Sequence, residues 1–244
     1  MESTIPGPRK LVLATHNKHK LEEIERVLDG SGWTSRGLAD LGVSHEPEED
    51  GLTFEDNARI KALAAWHATG LPCAADDSGL VVDALDGAPG VHSARFAGVT
   101  GDSTTSYAAN NRLLIERLGD VPGERRSARF VTELVLLYGP EAPSAIMSHP
   151  RHFEVDGLHG VAFLGVLEGW IRTEALGEKG FGYDPLFRVD GDTRSLAQYG
   201  MDEKNAISHR GKAFRALRAF LATLGEQPRG SDDLGSNNRG RQTS

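Results

Sequence analysis

Four consecutive apolar residues, Leu11-Val12-Leu13-Ala14, run into a polar turn and then a helix from about residue 19 with Leu21, Ile24, Val27 and Leu28 on one face. A short buried strand that feeds a helix across a polar turn puts the chain on an α/β plan from its first element. Further helices are expected over about 53–68, striped by Phe54, Ala58, Ala62 and Ala65, and over 103–118. A last helix is expected over about 203–224, burying Ala213, Leu217, Phe220, Leu221 and Leu224. Residues 71–75 read as a strand that runs into Asp76-Asp77-Ser78-Gly79, with 80–84 as a separate strand candidate. Residues 128–137 and 161–171 are β-rich, and the Pro-, Gly- and His-rich stretch 139–160 reads as a long loop. Helices and strands mix irregularly, which points to a mixed α/β sheet rather than a βαβ repeat.

The 244 residues are 39% apolar and 25% charged, enough to bury a core. One α/β domain is expected over 10–225. Residues 1–9, broken by Pro6, Gly7 and Pro8, read as a flexible lead-in. Residues 226–244 hold Gly, Ser and Asn with Leu234 as the one large apolar residue; they cannot offset their ordering entropy by burial and read as a disordered tail. The net charge of −8 argues against a nucleic-acid partner, which needs a basic surface. Cys73 is the single cysteine, so neither an intrachain disulfide nor a cysteine zinc cluster is expected, and a reducing cytoplasm fits. No secretory h-region and no apolar run of the roughly 20 residues that a membrane span needs are seen.

Five segments could carry chemistry. Thr15-His16-Asn17-Lys18-His19-Lys20 lies where free helix N–H groups and two lysines would suit a phosphate, but alone it reads better as a polar turn capped by Asn17. It is not a Walker loop, because no glycine lies between Ala14 and Lys20. Residues 45–56 carry Glu46, Glu48, Glu49, Asp50, Glu55 and Asp56; most should be solvated, while one or two could hold a divalent cation through oxygen. Asp76-Asp77-Ser78-Gly79 reads equally as an Asx turn and as a strand end that turns one carboxylate into a cleft. Gly180-Phe181-Gly182-Tyr183-Asp184-Pro185 could let backbone and aromatic rings approach a planar base, or could be a packed turn. Lys204 with Ser208-His209-Arg210-Gly211 offers donors at a helix start, or is an ordinary helix end. His149, His152 and Glu154 hint at a metal pair, but with no third ligand at a recognisable spacing they read as loop residues.

Taken together and in order, LVLATHNKHKLEEI, GLTFEDNARIKA, ADDSGLVVDALDGAPGVHSAR, GFGYDP and EKNAISHRGKA resemble the inosine triphosphate pyrophosphatase family, its bacterial dITP/XTP pyrophosphatase members most of all. The resemblance covers about residues 11–224. It implies a mixed, curved central sheet with flanking helices, two lobes around a deep cleft, and a homodimer. It also implies Mg²⁺-dependent hydrolysis of noncanonical purine nucleoside triphosphates (ITP, dITP, XTP) to the monophosphate and pyrophosphate, which clears deaminated purines from the nucleotide pool.

By the same resemblance, Thr15, Asn17, Lys18 and Lys20, with His16 and His19 between them, form the triphosphate turn, and Lys61 is a further phosphate contact. Glu49 and Asp77 are metal ligands, Asp77 is also the base, and Asp76 and Ser78 flank it. Phe181, Gly182, Tyr183 and Asp184 make the base loop, and Lys204, His209 and Arg210 close over the 6-oxo purine. His16 stands where many members carry glycine, and there it either crowds the phosphates or adds a donor. Arg210 and a protonated or suitably tautomeric His209 only donate, which favours a 6-oxo purine over adenine. Two other readings keep the binding motifs: a pyrophosphatase for other modified nucleotides, and a nucleotide-binding protein that does not hydrolyse. The presence of Glu49, Asp76 and Asp77 speaks against the latter.

Overall fold

The computed structural model of the chain describes residues 9–99 and 102–225; the lead-in before Arg9 and the tail over 226–244 lie outside the described residues. Among the described residues seven strands form one sheet: β1 (Arg9–Leu13), β2 (Trp33–Gly37), β3 (Cys73–Val82), β4 (Ser127–Leu137), β5 (His152–Val155), β6 (Leu158–Ile171) and β7 (Phe187–Val189). Their order is β2-β1-β3-β4-β6-β5, with β7 also paired to β6. β1 runs parallel to β2 and β3, and every other pairing is antiparallel, so the sheet is mixed. The helices are α1 (Lys18–Leu28), α2 (Phe54–Thr69), α3 (Ser103–Leu118), α4 (Ser144–Met147), α5 (Met201–Ile207) and α6 (His209–Gly225). None of the described helices is long and apolar enough to cross a membrane.

Strand alternation sorts the core into three clusters. Leu11, Leu13, Ala74, Leu134, Leu136, Val161 and Phe163 face α1 and α6. Val12, Cys73, Ala75, Val135 and Ala162 face the opposite way, onto Ala58, Ala62 and Ala65 of α2. Farther along the same strands, Leu80, Val82, Phe130 and Leu167 join Leu114 and Leu118 of α3 in a third cluster. β3 is therefore apolar at both ends and polar at its centre, and the site lies where the clusters meet.

Several expectations are corrected. Asp76-Asp77-Ser78-Gly79 is neither a turn nor a strand end. Its backbone pairs residue for residue with Leu134, Glu133, Thr132 and Val131, so one ten-residue strand replaces the two expected. The stretch 139–160 is not a long loop; it contains α4, β5 and the start of β6. The last helix breaks at Ser208, whose extended backbone ends α5 and whose Oγ accepts the Gly211 N–H at 3.0 Å to open α6. Arg9, expected in the flexible lead-in, already belongs to β1 and pairs with Trp33 of β2.

Gly165 of β6 is what lets the start of α6 lie this close to the sheet. A Cβ there would strike the His209 carbonyl oxygen and come within 2.9 Å of the Ala213 backbone nitrogen. Gly165→Ala is expected to cost about 1–3 kcal/mol by overpacking, read as a lower urea midpoint with an unchanged slope; an unchanged midpoint would show that α6 can shift freely.

Candidate active site

Because side chains alternate along β3, Asp76 and Ser78 project toward α1 and α6, while Asp77 and Gly79 project toward α2. Asp76 is buried, and its Oδ2 takes Lys20 Nζ at 3.1 Å, Arg210 Nε at 3.4 Å and Ser78 Oγ at 2.8 Å. Ser78 in turn hydrogen-bonds Thr132 Oγ1 at 2.9 Å. Burial alone would push the Asp76 carboxyl up, but Lys20, Arg210 and Lys61, with the Ser78 hydrogen bond, hold it well below the usual carboxylate range. Burial pulls the Lys20 ammonium below its ordinary value against the opposing field of Asp76.

On the other face, Lys61 Nζ lies 3.3 Å from both Asp77 Oδ1 and Glu49 Oε1. Burial works against the Lys61 charge, but Asp77, Asp76 and Glu49 outweigh it and raise its pKa. Asn57, one helical turn before Lys61 on α2, donates from Nδ2 to Asp77 Oδ2 at 3.1 Å and accepts the Gly51 N–H on Oδ1 at 2.8 Å. Its amide therefore ties the acidic segment to the carboxylate that faces the cleft. Thr53 and Asp56 form a capping box that fixes the start of α2.

In the turn after β1, Asn17 caps α1 through Oδ1 and the Lys20 N–H at 3.2 Å, and the Asn17 N–H reaches Thr15 Oγ1 at 3.2 Å. Lys18 and His19 open the backbone of α1, and the roles expected of their side chains lie outside the described residues. His16 is held by the Val43 carbonyl at Nε2 and by Glu46 at Nδ1, each at 2.9 Å, so the ring links the turn to the acidic segment. Of that segment, Glu46 and Glu49 line the cleft, Asp56 caps α2, and Glu48 and Asp50 are exposed.

The far end of the cleft is aromatic and cationic. Asp184 Oδ2 accepts the Phe181 N–H at 2.9 Å and Lys204 Nζ at 2.7 Å, and Lys204 Nζ stands 4.5 Å from the Phe181 ring centroid. Asn111 donates to the Gly182 carbonyl at 3.0 Å, and the buried Tyr183 hydroxyl donates to the Ser93 carbonyl at 2.9 Å, with burial pushing that phenol's pKa up. His209 is 6% exposed and stacks on Phe130 with centroids 4.8 Å apart. Burial first, then Arg210 and Lys204, hold its pKa well below the ordinary value. Of the two states open to His209 in the sequence, this direction favours the neutral ring. Its buried Nδ1 has no hydrogen-bond partner among the described residues.

All five segments reach one cavity of about 410 Å³. It is lined by Thr15, His16, Asn17 and Lys20 from the turn, Glu49 and Lys61 beyond it, and Asp76, Asp77 and Ser78 at the centre. Phe181, Gly182, Tyr183, Asp184, Lys204, His209 and Arg210 close its other end. Asn57, Ser93, Asn111, Phe130 and Thr132 are among the supporting residues that sequence reasoning missed. Only Asn57 left a signal, its four-residue spacing from Lys61 on one helix face. Two carboxylates turned to a single cation make an oxygen donor set that suits a hard divalent ion, so Glu49 and Asp77 fit such a metal.

A mixed α/β sheet with lysines, a carboxylate pair and an aromatic, donor-rich end around one cleft defines a nucleotide-processing protein. The family model described as the Ham1 family matches residues 11–220, and the chain belongs to that family. It is 46% identical over 218 residues to a dITP/XTP pyrophosphatase of Mycobacterium tuberculosis, a match covering 88% of this chain and 96% of that protein. Among solved structures, a HAM1 protein of Coxiella burnetii superposes with a TM-score of 0.74 at 36% identity, covering 88% of this chain and 99% of its own. A nucleoside-triphosphatase (dITP/XTP pyrophosphatase) of Mycobacterium abscessus does so at 0.64 and 42%, covering 85% and 98%. The resemblance read from the five sequence blocks is thus borne out.

Proposed function

We infer that the protein hydrolyses noncanonical purine nucleoside triphosphates, ITP, dITP and XTP, to the monophosphate and pyrophosphate. The observation that carries this reading is the two-sided centre of β3: Asp77 with Lys61 and Glu49 on one face, and Asp76 with Lys20 and Arg210 on the other, all in one cavity. Family membership and the names of the relatives support it.

Lys20 and the α1 N-terminus bind the triphosphate. Asp77, oriented by Asn57 and Lys61, positions a water and takes its proton. The water oxygen bonds to phosphorus, the α–β bridging bond breaks, and monophosphate and pyrophosphate separate. Mg²⁺ held by Glu49 and Asp77 would supply neutralisation of the phosphate charge. At the other end, Phe181 offers a face for the base. Arg210 and an N–H of neutral His209 donate to a 6-oxo group, where the amine of adenine would meet donors. Guanine shares the 6-oxo group, so its rejection rests on its 2-amino group. A cytoplasmic homodimer belongs to the same reading and rests on the family resemblance.

The test is pyrophosphate release from ITP, dITP, XTP, ATP and GTP, with and without Mg²⁺. Strong, metal-dependent release from the first three alone is expected. Release from none of them by folded protein would overturn the reading.

A further inference from the structure

The hairpin of β5 and β6 gathers three side chains that the cleft does not use. β5 is the edge of the sheet, with β4 and β6 between it and β3. His152 and Glu154 lie two apart on β5 and so share a face, and His159 sits directly across from Glu154 on β6. Arg151 and Phe153 alternate to the other face, where Arg151 binds Glu55 and Glu133 and Phe153 packs under Arg59.

His159 Nδ1 is 3.1 Å from His152 Nε2 and 3.4 Å from Glu154 Oε1, and all three ligand-capable atoms lie within 4.8 Å of one another. One proton on His159 Nδ1 can serve only one of these neighbours well. If His152 donates to it instead, its lone pair turns to the carboxylate. A divalent cation would satisfy all three ligand atoms at once. Bonds of about 2.0–2.1 Å to a tetrahedral zinc ion put neighbouring ligand atoms roughly 3.3 Å apart, and the two observed separations bracket that value. Glu154 is exposed, which leaves the outer positions open to water.

We propose that His152, Glu154 and His159 form a binding site for a borderline divalent transition ion of the zinc class, which staples the free edge of the sheet across the β5–β6 hairpin. Two imidazoles and one carboxylate select such an ion over Mg²⁺, which prefers oxygen, so this site and the cleft take different metals. The inference does not depend on the pyrophosphatase reading.

Co²⁺ added to the untagged full chain in buffer with excess Mg²⁺, which competes for the oxygen ligands of the cleft, tests it, followed by visible absorption and calorimetry. One Co²⁺ per chain is expected, displaced by Zn²⁺, with a rise in Tm. His152→Ala and His159→Ala should each weaken binding by more than the roughly 10–100-fold that loss of a merely supporting partner costs. Glu154→Gln should weaken it less, and Asp77→Asn should leave it intact. Circular dichroism melts without metal establish that each variant is folded. If a histidine variant does not fold, Cu²⁺ on the wild-type chain decides, since its paramagnetic resonance should show coupling to two imidazole nitrogens. The proposal is overturned by no Co²⁺ binding, by binding that survives both histidine changes but is lost in Asp77→Asn, or by a Cu²⁺ spectrum with oxygen ligands alone.

Discussion

Asp77→Asn is expected to lower kcat for ITP by at least about 10²–10⁴-fold, the range that loss of a positioned general base costs, while the folded protein still binds nucleotide. Asparagine keeps the size of the side chain but cannot take a proton from water. It also removes the charge that Lys61 Nζ meets at 3.3 Å, so the Glu49–Lys61–Asp77 arrangement keeps only one of its two ion pairs. The fold should survive, because the apolar ends of β3 that pack into the clusters are untouched. Lys20, Arg210 and the aromatic end are untouched too, so calorimetric affinity for ITP should change far less than turnover. Pyrophosphate release at saturating ITP separates the two quantities. Turnover at the wild-type rate would sink the assignment of Asp77 as base.

What the sequence disclosed and what it hid follow from the kind of pattern each element carries. α1 and α2 were legible because their apolar spacing is helical, and for α1 because Asn17 reads as a cap. The five segments of the cleft were legible as candidates, and their order carried the family resemblance. The two-sided use of β3 was hidden, because two aspartates, a serine and a glycine have poor strand propensity and read as a turn. Only the pairing with β4 keeps them extended. Gly79 serves close approach in that strand, since a Cβ there would meet Ser93 Oγ at 2.5 Å and the Gly90 carbonyl at 2.6 Å. The β5–β6 hairpin was hidden for a similar reason. Asp156 and Gly157 turn the chain with positive φ, and the polar residues that suggest a loop form the outer face of an edge strand. Phe130 left no mark as a site residue, because its role as the platform for His209 depends on two elements distant in sequence.

Asp76→Asn is expected to cost about 3–5 kcal/mol of stability, the range found when one partner of a buried ion pair is removed. At about 2–4 °C per kcal/mol for a chain of this size, the melting point should fall by roughly 6–20 °C. The penalty arises because Lys20 and Arg210 stay buried around a group that no longer carries charge. Its pH dependence has a definite sign. The folded carboxyl lies below its ordinary value, so the unfolded chain binds this proton more readily. The contribution of Asp76 is therefore full above the ordinary carboxylate value of about 3.9 and drains away as the pH falls below it. The wild-type chain should lose melting temperature on acidification more steeply than Asp76→Asn, and the two curves should converge. Parallel curves would show that Lys20 and Arg210 find other partners. The same change removes the field that opposes the effect of burial on the Lys20 ammonium, so phosphate affinity should drop as well. Weaker binding stabilises less at a given concentration, so pyrophosphate should raise the melting point of Asp76→Asn less than that of the wild type. Asp76 then acts as a resident counter-ion that holds Lys20 and Arg210 in place before the triphosphate arrives.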